Sequence, residues 1–216
     1  MFFSKKHWAR WFRRPFLVGG IYCNSSSFAL AIINQQQSAC QVVFAQYSTF
    51  DPALVEANVA VKAKLDIPNG IKHVSFHVVS DTFQVLPLLL PAEINNMETV
   101  ACAELKVKQQ PKSEDWLWDV ELDGQNSKLW LLAKAQHTNL VKQLQCFGIV
   151  EKQLCSWQPA AKAQPLHPQA ERLLKDCEQK LFAVSNQQPL ATPEINKSEL
   201  VLAISAALFK KGGFGG

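Results

Sequence analysis

Residues 16–33 read FLVGGIYCNSSSFALAII, and this stretch decides the fold. An apolar run over 16–23 ends at a polar turn, Asn24–Ser26, and a second apolar run follows over 28–33. A third strand is predicted at 40–45. Strands joined by a short Asn/Ser turn, with another strand close behind, are typical of an antiparallel meander. We therefore expect the chain to open with three neighbouring antiparallel strands.

Downstream of the meander, helical and strand patterns alternate, which predicts an α/β (α+β) chain. Predicted helices lie at 51–65, 93–107, 139–148, 169–182 and 198–209, and predicted strands at 73–79, 83–90, 116–122, 129–133 and 149–154. The helix at 93–107 carries Ile94, Met97, Ala101 and Leu105 at helical spacing, which predicts that they form its apolar face. The prolines that bound the strand at 83–90 mark it as an edge strand.

Composition excludes two broad classes of protein. Of the 216 residues, 48% are hydrophobic and 19% are charged, as in globular domains rather than disordered chains. No apolar run approaches the roughly 18 residues that a membrane-spanning helix needs. The six cysteines are scattered without a CxxC pair, so we expect reduced thiols in a cytosolic protein rather than a disulfide scaffold.

The positive charge is concentrated at the start of the chain. The whole sequence carries +4, and its first sixteen residues carry five cations and no acid, which leaves −1 for the rest. We therefore expect no direct nucleic-acid binding by the body. Interleaved aromatic and basic side chains suit an anionic membrane surface. The residues predicted to contact the inner membrane are Phe2, Phe3, Lys5, Lys6, Trp8, Arg10, Trp11, Phe12, Arg13 and Arg14.

Two alternatives for this tail remain open. It is either a leader that contacts nothing or, because of Arg13-Arg14, an export signal. An export signal needs a continuous apolar region and a small-residue cleavage site. Here the apolar run is interrupted by Gly19-Gly20 and then by the polar turn. We therefore favour a cytoplasmic protein peripheral to the inner membrane.

No catalytic motif stands out. His73 and His77 have the spacing of a helical metal pair, but the alternation around them predicts a strand with both rings on its solvent face. The acidic cluster around Asp119 and Glu121 is interpreted as a solvated strand edge. The sequence contains no GxSxG, HExxH or P-loop pattern. We expect no catalytic residues and no metal site.

The order of these elements resembles PilM-type, actin-like proteins of type IV pilus assembly, and the related competence protein A-like DNA-utilisation proteins. The likeness lies in the strand–turn–strand over 20–30, the paired strands over 71–91, the helix and strand at 93–122, the unit at 129–148, and the small-residue helix at 200–208. It implies an actin-like (ribonuclease H-like) first lobe with an inserted small α/β subdomain and a largely missing second lobe. The implied divisions are a tail at 1–15, the first lobe at 16–157, a linker at 158–168, and a second-lobe remnant with a closing helix at 169–216.

The resemblance also implies a phosphate loop that has degenerated. Its remnant is Cys23, Asn24, Ser25 and Ser26, and Tyr22 stands where the family has an acidic residue that holds hydrated Mg²⁺. The second phosphate loop and the adenosine motif of the family have no counterpart between 164 and 200. An ATP cleft needs both lobes. We therefore expect no cofactor and no ATP hydrolysis.

Without nucleotide chemistry, the function that the resemblance implies is a binding role. We expect a non-enzymatic adaptor of the type IV pilus or competence DNA-uptake machinery, which docks the cytoplasmic tail of a single-pass inner-membrane platform protein (PilN-like). Such tails commonly bind by adding a strand to a sheet edge, and the strand at 83–90 offers one. The alternatives are an actin-like ATP-binding protein with a degenerate site, and an unrelated α/β binding domain.

Overall fold

The structure is a computed structural model that describes residues 16–36, 39–49, 74–91, 93–111, 115–123, 126–163, 167–176 and 197–208. The predicted tail, the predicted helix at 51–65, His73, and residues 177–196 and 209–216 lie outside these ranges. The strands are β1 (Phe16–Cys23), β2 (Ser27–Gln36), β3 (Ala39–Thr49), β4 (Ser75–Ser80), β5 (Gln84–Pro87), β6 (Trp116–Glu121), β7 (Lys128–Ala133) and β8 (Leu154–Pro159). The longer helices are α1 (Asn96–Lys108), α2 (Lys134–Cys146) and α3 (Lys197–Leu208), and residues 170–176 are also helical.

Five strands form the main sheet, in the order β3-β2-β1-β4-β8. The pairs β1/β2 and β2/β3 are antiparallel, whereas β1/β4 and β4/β8 are parallel. The predicted opening meander is therefore confirmed. A meander of three strands followed by two parallel strands on the far side of β1 is the strand order of the ribonuclease H-like sheet. The chain has the actin-like first-lobe fold expected from its sequence.

Helices cover both faces of this sheet, which explains why its strands are apolar on both sides. On one face, Tyr22 and Ile33 belong to a cluster with Ile204 of α3. On the other face, Ile21 and Phe28 belong to a cluster that includes residues of α2. Successive side chains of β1 therefore belong to two separate cores, one on each face of the sheet.

A glycine in the central strand lets α3 lie directly on the sheet. A Cβ atom built on Gly20 would stand 1.9 Å from the carbonyl oxygen of Ala203 and 2.5 Å from the amide nitrogen of Ala207. Both of these atoms belong to the backbone of α3 and cannot rotate away. The small residues predicted for the last helix therefore serve a close helix–strand approach. Because α3 packs on β1 and β2, it belongs to the body of the first lobe rather than to a separate remnant.

The segment between β4 and α2 forms the inserted subdomain. Its three strands have the antiparallel order β5-β7-β6, and α1 packs on one face of them. A capping box between Asn95 and Glu98 begins α1. The other face of the sheet contacts the main lobe through Lys162, whose Nζ lies 3.0 Å from the carboxylate of Asp119.

The orientation of α1 differs from the prediction. Met97 and Leu105 were expected on the apolar face toward the core, yet they are 84% and 60% exposed. The residues of α1 that the subdomain buries are Thr99 and Ala103. Cys102 and Val107 are partly buried beside them in the same cluster, so the helix meets the sheet with this side rather than with the Met97–Leu105 side.

Several boundaries also differ from the prediction. Helix α2 begins at Lys134, five residues before the predicted start, directly after β7. Residues 149–153, predicted as a strand, form a connection with a short 3-10 turn, and the strand that follows is β8. The predicted linker start, Gln158, lies inside β8 and pairs with Val79. Apolar periodicity alone placed these elements several residues out of register.

The acidic residues of β6 lie on an edge strand, as predicted, but each has a partner in the folded chain. Asp119 pairs with Lys162, and the Trp130 indole N–H donates to the Glu121 carboxylate at 2.8 Å. The ammonium of Lys162 also lies 5.9 Å from the centre of the Trp130 ring. Asp119 therefore links the subdomain to the main lobe, whereas Glu121 joins two strands within the subdomain sheet. The interpretation from sequence missed both of these partners.

Candidate functional site

Polar residues gather at the carboxyl ends of β1 and β4, which are parallel neighbours. Cys23 at the end of β1 pairs with Ser80 at the end of β4. The turn Asn24–Ser27 leads from β1 into β2, and Asp81 follows β4. In sheets of this kind, the carboxyl ends of parallel strands are the usual place for a ligand. The predicted phosphate-loop remnant lies here.

The side chain of Asn24 organises this turn. Its Oδ1 accepts hydrogen bonds from the backbone amides of Ser26 and Ser27, both at 2.8 Å, and from the Ser26 hydroxyl at 3.1 Å. The Ser27 hydroxyl lies 3.1 Å from the same oxygen. The backbone amide of Asn24 donates to the carbonyl of Ser27 at 3.0 Å. This is an Asx turn, in which the side chain takes the place of a backbone acceptor. The two amides that a phosphate would need are thus directed at Asn24.

A carboxylate from the last helix sits against the same turn. Glu199, in the first turn of α3, is 8% exposed. Its Oε2 accepts from the Ser27 hydroxyl at 3.0 Å, and its Oε1 accepts from the Asn24 side-chain amide at 3.3 Å. The side-chain donors of the turn therefore already hold an anion that belongs to the chain itself. A bound phosphate would have to displace this carboxylate or lie beside it at an electrostatic cost.

Tyr22 lies beside the turn, one residue before the end of β1. Its hydroxyl donates to the carboxylate of Asp81, and the ring is 4% exposed. Burial raises the pKa of Tyr22 well above its usual value of 10.0, and the hydrogen bond to Asp81 raises it further. Complete burial likewise raises the pKa of the neighbouring Cys23 thiol to about 12. Neither group supplies a nucleophile or a base near neutral pH.

The four predicted loop residues differ in their accessibility. Cys23 is fully buried in the cluster on the α2 side of the sheet, whereas Ser25 and Ser26 are exposed and Asn24 is half-buried. Sequence reasoning missed Asp81 and Glu199, because they come from positions about 60 and 175 residues away along the chain. No local pattern around either acid marks it as a partner of this turn.

Replacing Tyr22 by phenylalanine tests the buried hydroxyl. Because the folded-state pKa lies above the unfolded value of 10.0, the hydroxyl contributes stability that is fully present below pH 10 and is lost as pH rises toward the folded-state pKa. We expect the parent to lose stability more steeply than Tyr22→Phe above about pH 10. Urea unfolding from pH 8 to 11 measures this difference, and parallel curves for the two proteins would refute the assignment.

Metal ligands do not cluster in the part of the chain that the structure describes. There, no group of three or more His, Cys, Asp or Glu side chains could hold an ion. His77 lies half-buried on β4 with its Nδ1 2.7 Å from the Ser156 hydroxyl, rather than on a solvent face. Burial lowers the pKa of His77, so the ring is neutral near pH 7.

The outer edge of β5 is the second candidate surface. Among the described strands, β5 has a neighbour on one side only, β7. The amide of Leu88 donates to the carbonyl of Ser127 at 2.8 Å, which continues the β5/β7 ladder. Antiparallel ladders alternate every two residues, so Val85 and Pro87 direct their backbone groups away from β7. Pro87 has no N–H, so it stands where the ladder requires none.

The side chains along this edge are apolar and accessible. Val85 is 50% exposed and Leu89 is 85% exposed, whereas Leu88 between them is buried against α1 and β7. Residues 84–90 carry no charge, and the nearest acids in sequence are Asp81 before them and Glu93 after them. Edge strands are usually protected by lysines or other charges. At this edge Pro87 takes the place of such charges, and the apolar side chains of Val85 and Leu89 on either side of it are exposed.

No described helix is long and apolar enough to cross a membrane. The residues predicted to contact a membrane all precede residue 16 and lie outside the described part of the chain.

No protein-family model matches the chain, and no curated protein matches it in sequence. Among solved structures, it is similar to the cytoplasmic domain of EpsL, an inner-membrane component of the type II secretion system of Vibrio cholerae. That match has 12% identity and a TM-score of 0.46, and covers 71% of this chain and 61% of the other. It is also similar to a Bacteroides thetaiotaomicron protein with an actin-like ATPase fold and unknown function. That match has 17% identity and a TM-score of 0.35, and covers 74% and 56% of the two chains. The chain spans about three fifths of the length of these proteins. The strand order of its main sheet is what identifies the actin-like fold.

Proposed function

We propose that the chain is a non-enzymatic adaptor that binds an extended peptide segment of an inner-membrane protein at the cytoplasmic face of the membrane. The observation that carries this proposal is the open edge of β5, with its outward backbone groups and exposed Val85 and Leu89. A peptide that adds a strand here gains main-chain hydrogen bonds, and its alternate side chains contact the two apolar residues.

The chemistry of the edge favours a particular partner. Cytoplasmic segments next to a membrane span are rich in Lys and Arg. An uncharged strand with Asp81 and Glu93 on either side suits a peptide with apolar residues in its middle and cations at its ends. From the resemblance to PilM-type proteins, we propose that the partner is the cytoplasmic tail of a single-pass platform protein of type IV pilus assembly or competence DNA uptake. The basic aromatic residues before position 16 would hold the adaptor at the same membrane surface.

The geometry of the turn supports a role without nucleotide chemistry. The amides of Ser26 and Ser27 donate to Asn24, Glu199 occupies the side-chain donors, and Tyr22 stands where a metal-binding acid is needed. We expect no change in the unfolding temperature of the protein with ATP and Mg²⁺. A rise of several degrees would instead favour the alternative, an actin-like ATP-binding protein with a rearranged site.

Capture from inner-membrane extract tests the docking edge. The full-length protein is expected to recover a single-pass membrane protein, and Leu89→Lys is expected to lose at least about 90% of it, since the charge disrupts an apolar strand contact. Leu122→Lys is the matched control, because Leu122 is 57% exposed and follows β6, at the opposite edge of the same sheet. Equal recovery by both variants would place the binding surface elsewhere.

A chain that lacks residues 1–15 separates peptide binding from membrane contact. If the tail serves the membrane surface alone, the shortened protein recovers the same partner from detergent extract but no longer binds vesicles that contain anionic lipid. Loss of the partner from the detergent extract would assign the peptide contact to the tail and remove it from β5.

A further inference from the structure

The negative charge of the body is concentrated in the inserted subdomain. Residues 81–133 contain nine acidic residues and four lysines, a net charge of −5, whereas residues 16–80 and 134–216 together carry +4. Residues 1–15 carry +5. The sequence therefore pairs one strongly basic segment with one strongly acidic part of the fold. The exposed acids among the described residues of the subdomain are Asp81, Glu93, Glu98, Glu104, Asp115 and Asp123.

We infer that the basic tail, residues 1–15, docks on the β5 edge of its own chain and leaves it when an anionic membrane binds the same residues. Val85 and Leu89 offer exposed apolar contacts along this edge, and the exposed acids Asp81 and Glu93 stand on either side of it in sequence. Aromatic side chains interleaved with cations suit such an edge. The consequence rests on the proposed function: a docked tail competes with the partner peptide, so the adaptor binds its partner best at the membrane.

The length of the tail decides which of its residues reach the edge. Phe16 begins β1 at the end of the main sheet where β4 also begins, because these two strands are parallel. Asp81 follows the other end of β4, so the tail must pass the length of the eight-residue β1. That length is about 26 Å at about 3.3 Å per residue, which takes about eight residues of the tail. Residues 1–7 are then left for the edge.

The order of these residues matches the edge. A segment that comes from the main sheet meets Asp81 first, since this carboxylate accepts from the hydroxyl of Tyr22 on β1. Lys5-Lys6 then lies beside Asp81, and Phe2-Phe3 lies farther along β5, against its apolar side chains. This direction makes the tail antiparallel to β5, as β7 is on the other side of that strand.

The contact is expected to be weak and reversible. A segment on a short tether has an effective concentration of about 1 mM at its site. With a dissociation constant on the order of 0.3 mM for the untethered segment, most molecules are closed and exchange of the edge amides slows about two- to fivefold. A partner peptide that binds in the micromolar range displaces the tail and protects the edge further. Five cations on an anionic surface also outcompete an edge with few acids beside it.

Amide hydrogen exchange of residues 84–90 tests the contact. We expect exchange in the full-length protein to be about two- to fivefold slower than in the chain that lacks residues 1–15. Vesicles with one quarter phosphatidylglycerol in phosphatidylcholine are expected to remove this difference, because they bind the tail. Vesicles of phosphatidylcholine alone are expected to leave it in place.

Two double variants make the test specific. Lys5→Glu with Lys6→Glu reverses the charge of the part that reaches the edge, and exchange is expected to be as fast as in the shortened chain. Arg13→Glu with Arg14→Glu is the matched control, because it changes the charge equally but lies next to Phe16, out of reach of β5. Exchange in this control is expected to be as slow as in the parent.

Equal exchange of residues 84–90 in the full-length and shortened proteins would overturn the inference. Equal effects of the two double variants would also overturn it, since the attraction would then have no fixed place. Protection that persists in the shortened chain and grows with its concentration would assign the edge to a second copy instead. None of these measurements uses the partner, so a failure to capture any membrane protein would remove the adaptor role and leave the tail contact standing.

Discussion

Replacing Gly20 by alanine is expected to cost the protein about 3 kcal/mol or more of its unfolding free energy. The added methyl group would stand 1.9 Å from the Ala203 carbonyl oxygen and 2.5 Å from the Ala207 amide nitrogen. Both atoms are part of the hydrogen-bonded backbone of α3, so relief requires the whole helix to move away from β1. That movement would open the cluster that includes Ile204. Since total stabilities are about 5–15 kcal/mol, the loss is a large fraction of the whole.

Gly148→Ala is the control for this prediction. Gly148 ends the turn after α2 with a φ of 83°, and a Cβ there meets no atom within 4 Å. Its replacement therefore costs backbone strain alone, about 1–2 kcal/mol. Chemical denaturation of both variants separates the two causes. If Gly20→Ala is no more destabilising than Gly148→Ala, α3 does not lie against β1 as described.

Replacing Glu199 by alanine is expected to destabilise the protein by about 2 kcal/mol. The change takes away the charged acceptor of the buried Ser27 hydroxyl at 3.0 Å, which leaves that hydroxyl the neutral Asn24 Oδ1 at 3.1 Å. It also removes the acceptor of the Asn24 side-chain amide. Hydrogen bonds to a charged acceptor contribute more than neutral ones, and a buried donor that loses its acceptor is costly. The β1–β2 turn and the first turn of α3 should open together.

Glu199→Gln separates charge from shape. The amide oxygen can still accept from Ser27, so we expect about half of the loss seen for alanine. Urea unfolding gives the stabilities, and amide hydrogen exchange at Ser26 and Ser27 reports the turn directly. A Glu199→Ala protein as stable as the parent, with unchanged exchange at the turn, would contradict the role given to this carboxylate.

The strand pattern of the main sheet could be predicted because it is local. A continuous apolar run on both sides of the Asn24–Ser27 turn leaves few options other than paired strands buried on both faces. The small residues of α3 likewise indicated a helix in close contact. The glycine that receives this helix, Gly20, lies about 180 residues earlier, and the match between the two appears only in the folded chain.

The face of α1 and the acids of the site could not be predicted for a related reason. Periodicity shows that Met97, Ala101 and Leu105 share a face of α1, but not whether that face meets the chain's own sheet or lies exposed. In the same way, Asp81 and Glu199 become partners of the β1–β2 turn through the sheet order and the path of α3. Long-range pairing of this kind leaves no signal in a single sequence.

The claim that the chain is a strand-binding adaptor is tested most directly by amide hydrogen exchange of the full-length protein. The ligand is a synthetic peptide that carries the cytoplasmic tail of the membrane protein recovered by capture. We expect the Val85 and Leu89 amides to become protected, while exchange at the Asn24–Ser27 turn stays unchanged. Protection at the turn with none along β5, or no binding of the peptide at all, would contradict the account.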